Sequence, residues 1–205
     1  MSTHQMYQGD LPNGFSLPGD IAVDTEALGL NNKRDRLCLV QLSNGDGTAH
    51  LVQFAPGKYN APNLTRLLTD KKRTKLFHFA RFDLSIMQEY LGVMAAPVYC
   101  TRTASRLART YTDKHGYKEI CKELLGVDIS KQQQSSYWGS ETLTAEQIEY
   151  AAADVLHLHR LREKLDAMLI REGRMELAQA CFAFLPHRAM LDVAGFANED
   201  VFAHA

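Results

Sequence analysis

Three strand-like runs follow one another early in the chain, and they constrain the fold more than any other feature. Residues 20–26, D-I-A-V-D-T-E, alternate with the period of two that is typical of a β-strand. Residues 37–43, L-C-L-V-Q-L-S, predict a second strand, and the turn sequence N-G-D-G-T leads into a third strand at residues 49–54. The pattern therefore predicts a meander of three antiparallel strands.

Helical and strand-like patterns alternate after this meander. Helices are predicted at residues 61–70, 82–91 and 116–125, and short apolar runs at residues 74–80 and 98–100 are strand-like. Alternation of this kind is typical of a mixed sheet with helices on its faces. The predicted fold class is therefore α/β, with a mixed sheet built from the antiparallel meander and added parallel strands.

The last third of the chain is predicted to be mostly helical. Residues 129–143 are rich in Gln and Ser and lack periodicity, so we expect a loop. Thr144 and Gln147 have the spacing of a capping box, and the helix that they open is predicted to run to about residue 171. A last helix near residues 174–184 would leave a tail after Pro186.

The charge balance limits how the chain can bind a partner. The chain has 205 residues, a formal net charge of -1 and a pI near 6.7. This excludes the strongly basic balance of proteins that bind nucleic acid by net charge alone, although a local basic patch is still possible.

The cysteines and the N-terminus favour a cytoplasmic protein. Neither a metal-site spacing nor a C-x-x-C pair is present, so we expect buried free thiols in a reducing compartment. The N-terminal residues lack the basic and apolar regions of a signal peptide, and no run reaches the ~20 apolar residues of a membrane span. We therefore expect a cytoplasmic location and no membrane partner. The cysteines are Cys38, Cys100, Cys121 and Cys181.

Four acidic residues stand at positions that suggest a shared role. Asp24 and Glu26 are two residues apart on the first predicted strand, so both side chains point to one face. Asp83 follows a strand at the start of a helix, where it would also serve as a cap. Asp154 follows three alanines in a helix, where a charge costs helix propensity and solvation. A single D-x-E pair is more often a solvated strand edge than a ligand pair.

A pair of divalent cations would compensate all of these carboxylates at once. Oxygen ligands suit Mg²⁺ or Mn²⁺, and two such ions ~3.5 to 4 Å apart stabilise the attacking and leaving oxygens of a phosphoryl transfer. Tyr150 lies one turn before Asp154 on the same helix face. With an ordinary pKa near 10, its phenol is suited to orient a water molecule rather than to deprotonate it. The residues predict metal-dependent hydrolysis of a phosphodiester.

Three motifs in this order resemble the exonuclease motifs of the DEDD superfamily, in the tyrosine-containing branch that includes ribonuclease D. They are D-T-E at residues 24–26, H-F-A-R-F-D at residues 78–83 and Y-A-A-A-D at residues 150–154. In addition, L-C-L-V-Q-L-S resembles the family's second strand, and S-S-Y-W at residues 135–138 resembles its S-x-W element. The resemblance covers roughly residues 18–170.

The resemblance implies a fold, a cofactor and a reaction. The implied fold is the ribonuclease H-like mixed sheet flanked by helices. The implied reaction is the removal of single nucleotides from a 3′ end as nucleoside 5′-monophosphates, with Tyr150 positioning the nucleophilic water. Two divalent ions, Mg²⁺ or Mn²⁺, would be bound by Asp24, Glu26, Asp83 and Asp154.

Other residues are candidates for contacts with nucleic acid. Arg102, Arg106 and Arg109 recur on one side of a helix, where they would follow a phosphate backbone or remain solvated. Trp138 would stack on a base and shield the site, or anchor its loop in the core. His78 has the alternative of a structural role at a strand end, since Mg²⁺ prefers oxygen. The candidates are Thr25, Leu28, His78, Arg102, Arg106 and Trp138.

Two departures from the family pattern bear on substrate binding. The family often has Phe directly after D-T-E, where this chain has Ala27 and then Leu28. Ribonuclease D also carries helical nucleic-acid-binding domains after the catalytic one, and the residues after 170 are too few for such a domain. We expect a single exonuclease domain over residues 1–205, with its core at about 18–170 and a helical tail at residues 171–205.

Binding of the substrate would then depend on the catalytic domain, on oligomerisation or on a partner, and the sequence does not determine the oligomeric state. The basic residues between Lys71 and Lys75 would either contact the substrate or form a solvated face. The expected substrate is the 3′ end of RNA, because the resemblance is to ribonuclease D.

Three alternatives to an RNA exonuclease remain open. A DNA 3′-5′ exonuclease would act on single-stranded DNA and would differ by its contacts to the 2′-OH. A nucleic-acid-binding module without catalysis would use the same fold. If the acidic positions are coincidental, the four carboxylates will not converge in space.

Overall fold

The computed structural model describes residues 3–130 and 132–204. Their strands form one sheet of six in the order β1-β4-β3-β2-β5-β6. The strands are β1 (Thr3–Gln8), β2 (Ile21–Ala27), β3 (Leu37–Ser43), β4 (Thr48–Gln53), β5 (Lys75–Phe77) and β6 (Val98–Cys100). The helices are α1 (Pro62–Thr69), α2 (Ala80–Leu91), α3 (Thr101–Ala108), α4 (Tyr117–Leu125), α5 (Ala145–Leu156), α6 (Leu158–Arg171) and α7 (Met175–Val193).

The sheet has the predicted mixed topology. β2 pairs antiparallel with β3, and β3 pairs antiparallel with β4, which confirms the meander. β5 extends the sheet parallel to β2, and β6 is parallel to β5. All seven residues of β3 are buried, as expected for a strand in the middle of a sheet that is covered on both faces. The α/β prediction is confirmed.

Strand β1 is an addition that the sequence pattern did not predict. It pairs in parallel with β4 at the edge of the sheet, and none of its residues is buried. Its sequence, T-H-Q-M-Y-Q, has few of the apolar residues that mark a strand. An edge strand with little burial carries a weak hydrophobic pattern, so it is hard to recognise before its partner strand is known.

Two helix predictions were wrong in part, one in the middle of the helix and one at its C-terminal end. The helix predicted from Thr144 to about residue 171 is broken at His157 into α5 and α6, although the capping box of Thr144 and Gln147 is present. The predicted tail after Pro186 is instead a continuation of α7 to Val193. A proline inside a helix removes one hydrogen bond, and the packing of α7 against α2 and β6 retains the helix despite that loss.

The remaining elements agree with their predictions within a few residues. Gly92 ends α2 in the left-handed conformation with φ 65°, as a helix C-terminal glycine commonly does. Residues 129–143 are without a regular element where they are described; residue 131 lies outside the described residues. Within the described ranges, none of the helices is both long and apolar enough for a bilayer span.

The cysteines were predicted as buried free thiols. All four are free, and Cys38, Cys100 and Cys121 are buried, whereas Cys181 on α7 is partly exposed. Cys181 therefore departs from the prediction, because α7 lies on the outside of the fold, where most of its residues are exposed or half-buried.

Candidate active site

Three elements bring the predicted carboxylates together. Strand β2 carries Asp24 and Glu26, and helix α5, which packs against β2, β3 and β4, carries Asp154. Carboxylate oxygens of these three residues lie within 4.8 Å of one another. The alternative that the acidic positions are coincidental is therefore wrong for these residues.

The fourth carboxylate, Asp83, lies in the first turn of α2 beside this group. It is only 3% exposed, and one of its oxygens accepts a hydrogen bond of 2.7 Å from the Thr25 hydroxyl. Thr25 lies between Asp24 and Glu26 on β2, and its buried side chain binds Asp83. The D-T-E motif thus positions its two carboxylates directly and holds a third through the threonine.

The carboxylates are electrostatically strained in the absence of a cation. Burial raises the pKa of Asp24 to about 7. Burial, followed by repulsion from neighbouring carboxylates, raises the pKa values of Glu26, Asp83 and Asp154 well above their ordinary range. Negative charges this close together need a compensating cation, since Asp83 is buried and the other three carboxylates are half-buried. All of these carboxylates offer the hard oxygen ligands that Mg²⁺ and Mn²⁺ prefer. The oxygen ligands of these four carboxylates therefore suit a divalent cation.

Tyr150 completes this group from one turn earlier on α5. Burial, followed by the charges of Asp154 and Glu26, raises the pKa of Tyr150 further above its ordinary value. The Tyr150 side chain in turn lowers the pKa of Asp154, against the larger upward effect of burial. The phenol therefore keeps its proton at neutral pH, which agrees with a role in orienting a water molecule and not with a role as a base.

A cleft of about 680 Å³ opens onto these residues. It is lined by Asp24, Glu26, Tyr150 and Asp154 and by five of the six predicted nucleic-acid contacts, namely Thr25, Leu28, His78, Arg102 and Trp138. Trp138 is only 2% exposed, and its ring centroid lies 6.1 Å from that of Tyr150. It both anchors its loop in the core and forms part of the wall of the cleft, so the two alternatives for this residue are compatible.

The arginines on α3 and directly after it have different surroundings. Arg102 lines the cleft, and Arg106 is exposed one turn further along, outside the cleft lining. Arg109 is fully buried, forms an ion pair with Glu123, and donates to the Ser105 hydroxyl at 2.9 Å. The prediction that Arg109 follows a phosphate backbone or remains solvated is wrong, because its guanidinium closes a hydrogen-bond network inside the protein.

The basic run before β5 also contains one buried residue. Lys75 is 0% exposed, and its ammonium group donates to the carbonyls of Asp70, Arg73 and Ala96 at 2.6 to 2.7 Å. Burial lowers the pKa of Lys75 to about 8. Both predictions, a substrate contact and a solvated face, are wrong for Lys75, because its charge is used to join the chain segments at this end of the sheet.

Polar contacts hold the cleft wall around His78. Nδ1 of His78 lies 2.9 Å from the Thr101 hydroxyl, and its ring packs against Tyr117 at a centroid distance of 5.5 Å. The Tyr117 hydroxyl donates to the carbonyl of Ala153 at 2.9 Å, which ties α4 to α5 directly before Asp154. His78 therefore has the structural role that was its alternative, and its ring also lines the cleft.

Sequence patterns gave no indication of two residues near the carboxylates. Gln41 lies opposite Asp24 in the register of β2 and β3 and donates to its carboxylate at 3.5 Å. Phe79, between β5 and α2, lines the cleft with an unusual backbone conformation. The register of the meander would have pointed to Gln41, but no local signal marks Phe79 as different from the apolar residues around it.

Comparisons with known proteins agree with this site. The sequence profile of the 3′-5′ exonuclease family matches residues 11–170. Ribonuclease D of Gluconacetobacter diazotrophicus is 36% identical over 165 residues, which are 80% of this chain and 42% of the relative. Ribonuclease D of Acidiphilium cryptum is 36% identical over 156 residues and 39% of its length. The chain thus spans about two fifths of the length of these relatives.

Solved structures extend the similarity to the whole chain. Brucella melitensis NrnC bound to pGG is 54% identical, has a TM-score of 0.97 and is covered over 100% of both chains. The same protein with bound Mg²⁺ is 53% identical with a TM-score of 0.95, over 99% of this chain and 100% of that one. Escherichia coli RNase D is 26% identical with a TM-score of 0.72, over 83% of this chain and 44% of that one.

Proposed function

The chain belongs to the 3′-5′ exonuclease family, and on that premise we propose that it removes single nucleotides from the 3′ end of RNA as nucleoside 5′-monophosphates. The observation that supports this proposal best is the convergence of carboxylate oxygens from Asp24, Glu26 and Asp154 within 4.8 Å of one another. Such a group of half-buried carboxylates, with Asp83 and Tyr150 beside it, has the composition that hydrolysis of a phosphodiester requires.

We propose that two divalent cations, Mg²⁺ or Mn²⁺, are bound by Asp24, Glu26, Asp83 and Asp154. The similar structure of Brucella melitensis NrnC with bound Mg²⁺ supports this choice of ion. When bound, the cations would neutralise charge on the phosphate and acidify the attacking water.

The other residues would orient the reacting groups. Tyr150 keeps its proton, so its hydroxyl would hold the attacking water in line with the scissile bond beside Asp154. The Thr25 hydroxyl would keep the Asp83 carboxylate turned toward the cations. His78, Trp138 and Leu28 would form the walls that position the terminal nucleotide.

Very short RNA is the substrate that we favour. Brucella melitensis NrnC, which is similar over the full length of both chains, was solved with pGG, a ligand of two nucleotides. The cleft of about 680 Å³ has room for a terminal nucleotide and lies next to a second groove that would take the nucleotide before it. We propose that the described residues act as one exonuclease domain and that this pair of cavities provides the grip on the substrate.

The proposal is tested with single-stranded RNA labelled at either end, incubated with Mg²⁺ or Mn²⁺. We expect a ladder that shortens from the 3′ end and a nucleoside 5′-monophosphate product. EDTA and Asp154→Asn should abolish the ladder, and Tyr150→Phe should slow it about 10²-fold, in the range that general acid–base and water-positioning groups contribute.

A DNA strand of the same sequence is the matched substrate. If DNA shortens and RNA does not, the assignment of RNA is wrong while the exonuclease chemistry stands. Products carrying a 3′-phosphate, or an undiminished rate in Asp154→Asn, would contradict the proposed mechanism itself. The second alternative, a binding module without catalysis, does not agree with the family to which the chain belongs.

A further inference from the structure

Phe79 has a strained backbone at the edge of the active-site cleft. It follows His78 and precedes Ala80, the first residue of α2, and it has φ 70° and ψ 46°. Within residues 3–130 and 132–204 it is the single residue other than glycine with a positive φ. This left-handed conformation is unfavourable for a bulky side chain, and such strain is concentrated at sites of binding and catalysis. The conformation fixes the direction in which the aromatic ring leaves the chain.

The ring of Phe79 is directed into solvent between two cavities. Phe79 is 46% exposed, although burial of a phenyl ring would stabilise the protein. Phe79 lines the active-site cleft and also a neighbouring groove of about 730 Å³, and Leu30 and Phe82 are likewise shared by the two. We call this neighbouring cavity the second groove; its wall includes Asn31, Lys33 and Arg34. A nucleic acid strand that passed from one cavity to the other would cross Phe79.

A cation lies over one face of the Phe79 ring. The guanidinium carbon of Arg102 is 5.0 Å from the ring centroid, a distance typical of a cation–π contact. In the described part of the chain, no carboxylate pairs with Arg102 and its side chain lines the cleft. Phe79 is still 46% exposed beside this contact, so part of its ring surface is accessible to a planar group. Among the residues that the structure describes, no hydrogen bond occupies the guanidinium N–H groups of Arg102, so they are accessible to a phosphate.

From these observations we propose that Phe79 stacks on the penultimate base of the substrate, the base on the 5′ side of the scissile phosphate. Arg102, over the other face of the ring, binds the backbone phosphate next to that base. The terminal nucleotide occupies the cleft with the carboxylates, so the nucleotide before it lies at the boundary where Phe79 stands. The inference rests on the proposed function, because it assigns a subsite of the same reaction.

Aromatic stacking explains why a strained, exposed phenylalanine is retained at this position. If Phe79 only connected β5 to α2, glycine would serve better, because glycine adopts a positive φ without strain. If Phe79 only filled space in the core, its ring would be buried. A base stacked on an aromatic side chain contributes binding without reading the sequence, which suits an enzyme that removes any 3′ nucleotide.

The test combines protein variants with abasic substrates. Short RNA oligonucleotides carry an intact base or an abasic ribose at the penultimate position, and a second set carries the abasic ribose at the terminal position. The protein variants are Phe79→Ala, Phe79→Gly and Phe79→Tyr. Phe202→Ala is the control, because Phe202 is an aromatic residue that is 77% exposed and lies outside the cleft and the second groove.

We expect the penultimate base and the Phe79 ring to be energetically coupled. In the wild type, loss of the penultimate base should lower kcat/KM about tenfold, mainly through a higher KM. In Phe79→Ala and Phe79→Gly the intact substrate should be as slow as the abasic one, while Phe79→Tyr and Phe202→Ala retain the wild-type ratio. Phe79→Gly should also unfold at no lower temperature than the wild type, which separates loss of stacking from loss of the fold.

Two results would overturn the assignment. If the penultimate abasic substrate is slowed equally in the wild type and in Phe79→Gly, the ring does not stack on that base. If the coupling is found at the terminal base, the subsite is assigned to the wrong nucleotide.

If the wild type degrades DNA but not RNA, the substrate proposal fails, and the same series in deoxyribose oligonucleotides still decides the role of Phe79.

Discussion

At the scale of single residues, the site depends on how buried charges are held. Asp83 is almost fully buried, and the Thr25 hydroxyl is the side chain that donates to it. We therefore propose that Thr25 positions Asp83, although it occupies the middle of a motif whose other members are carboxylates. The contribution of the Thr25 hydroxyl can be measured apart from that of the carboxylates. The substitution Thr25→Val keeps nearly the same side-chain shape and removes only the hydroxyl.

We predict that Thr25→Val lowers both stability and activity. Removing the donor leaves a buried carboxyl group without its hydrogen bond, which costs about 1 to 3 kcal/mol in the free energy of unfolding. Chemical denaturation measures this loss, and kcat is measured beside it. Thr69→Val is the control, because Thr69 is exposed and its hydroxyl bonds only to the carbonyl of Thr65; equal unfolding free energies in both variants would exclude the positioning role.

At the scale of elements, helix α7 supports the helix that carries Asp83. Arg81, in the first turn of α2, makes a bidentate ion pair with Asp192 of α7 at 2.6 and 2.7 Å. Arg188 approaches the same carboxylate at 3.1 Å. The residues beyond the matched region 11–170 thus fix the start of α2, two residues before Asp83. This contact couples α7 to the helix that carries Asp83.

We predict that Asp192→Asn destabilises the protein by about 2 to 4 kcal/mol. The carboxylate side chain is only 9% exposed, and its loss would leave two arginines without their counter-charge. The midpoint of urea denaturation measures the effect. Glu199→Gln, an exposed acidic change near the same end of the chain, is the matched control, and a midpoint for Asp192→Asn no lower than that of the control would disprove the coupling of α7 to α2.

At the scale of the whole molecule, the carboxylate cluster links stability to pH and to metal. The pKa of Asp24 rises from 3.8 to about 7 on folding, because burial disfavours its charged form. A carboxyl group with a raised pKa binds more protons in the folded state than in the unfolded state. Its stabilising contribution is therefore full below pH 3.8 and is lost as the pH rises through about 7.

We predict that the metal-free protein loses stability between about pH 4 and 7 from this group, and that Mg²⁺ reverses the loss. The cation binds the ionised carboxylates, so its stabilising effect should be larger at pH 8 than at pH 5.5. Thermal unfolding in EDTA across this pH range measures the loss of stability without metal. The same measurement in Mg²⁺ gives the stabilisation by the cation at each pH. In Asp24→Asn the dependence on pH and the gain from Mg²⁺ should both diminish; a gain from Mg²⁺ that is independent of pH would contradict the assignment.

Some properties of this protein were determined by sequence alone. The period of two in β2 and β3 reflects local sterics and burial, so the meander was predictable. The i, i+4 spacing of Tyr150 and Asp154 places both on one face of α5 whatever surrounds the helix. The capping box of Thr144 and Gln147 was predictable for the same reason, because its hydrogen bonds join residues three apart.

Other properties were decided only by the tertiary structure. The sequence spacing of Arg109 is like that of Arg102, yet one is buried against Glu123 and the other lines the cleft. The helix through Pro186 and the unpredicted edge strand β1 likewise depend on partners distant in the chain. Local periodicity encodes which face of an element is apolar, but burial, charge pairing and backbone strain depend on neighbours that only the assembled fold brings into contact.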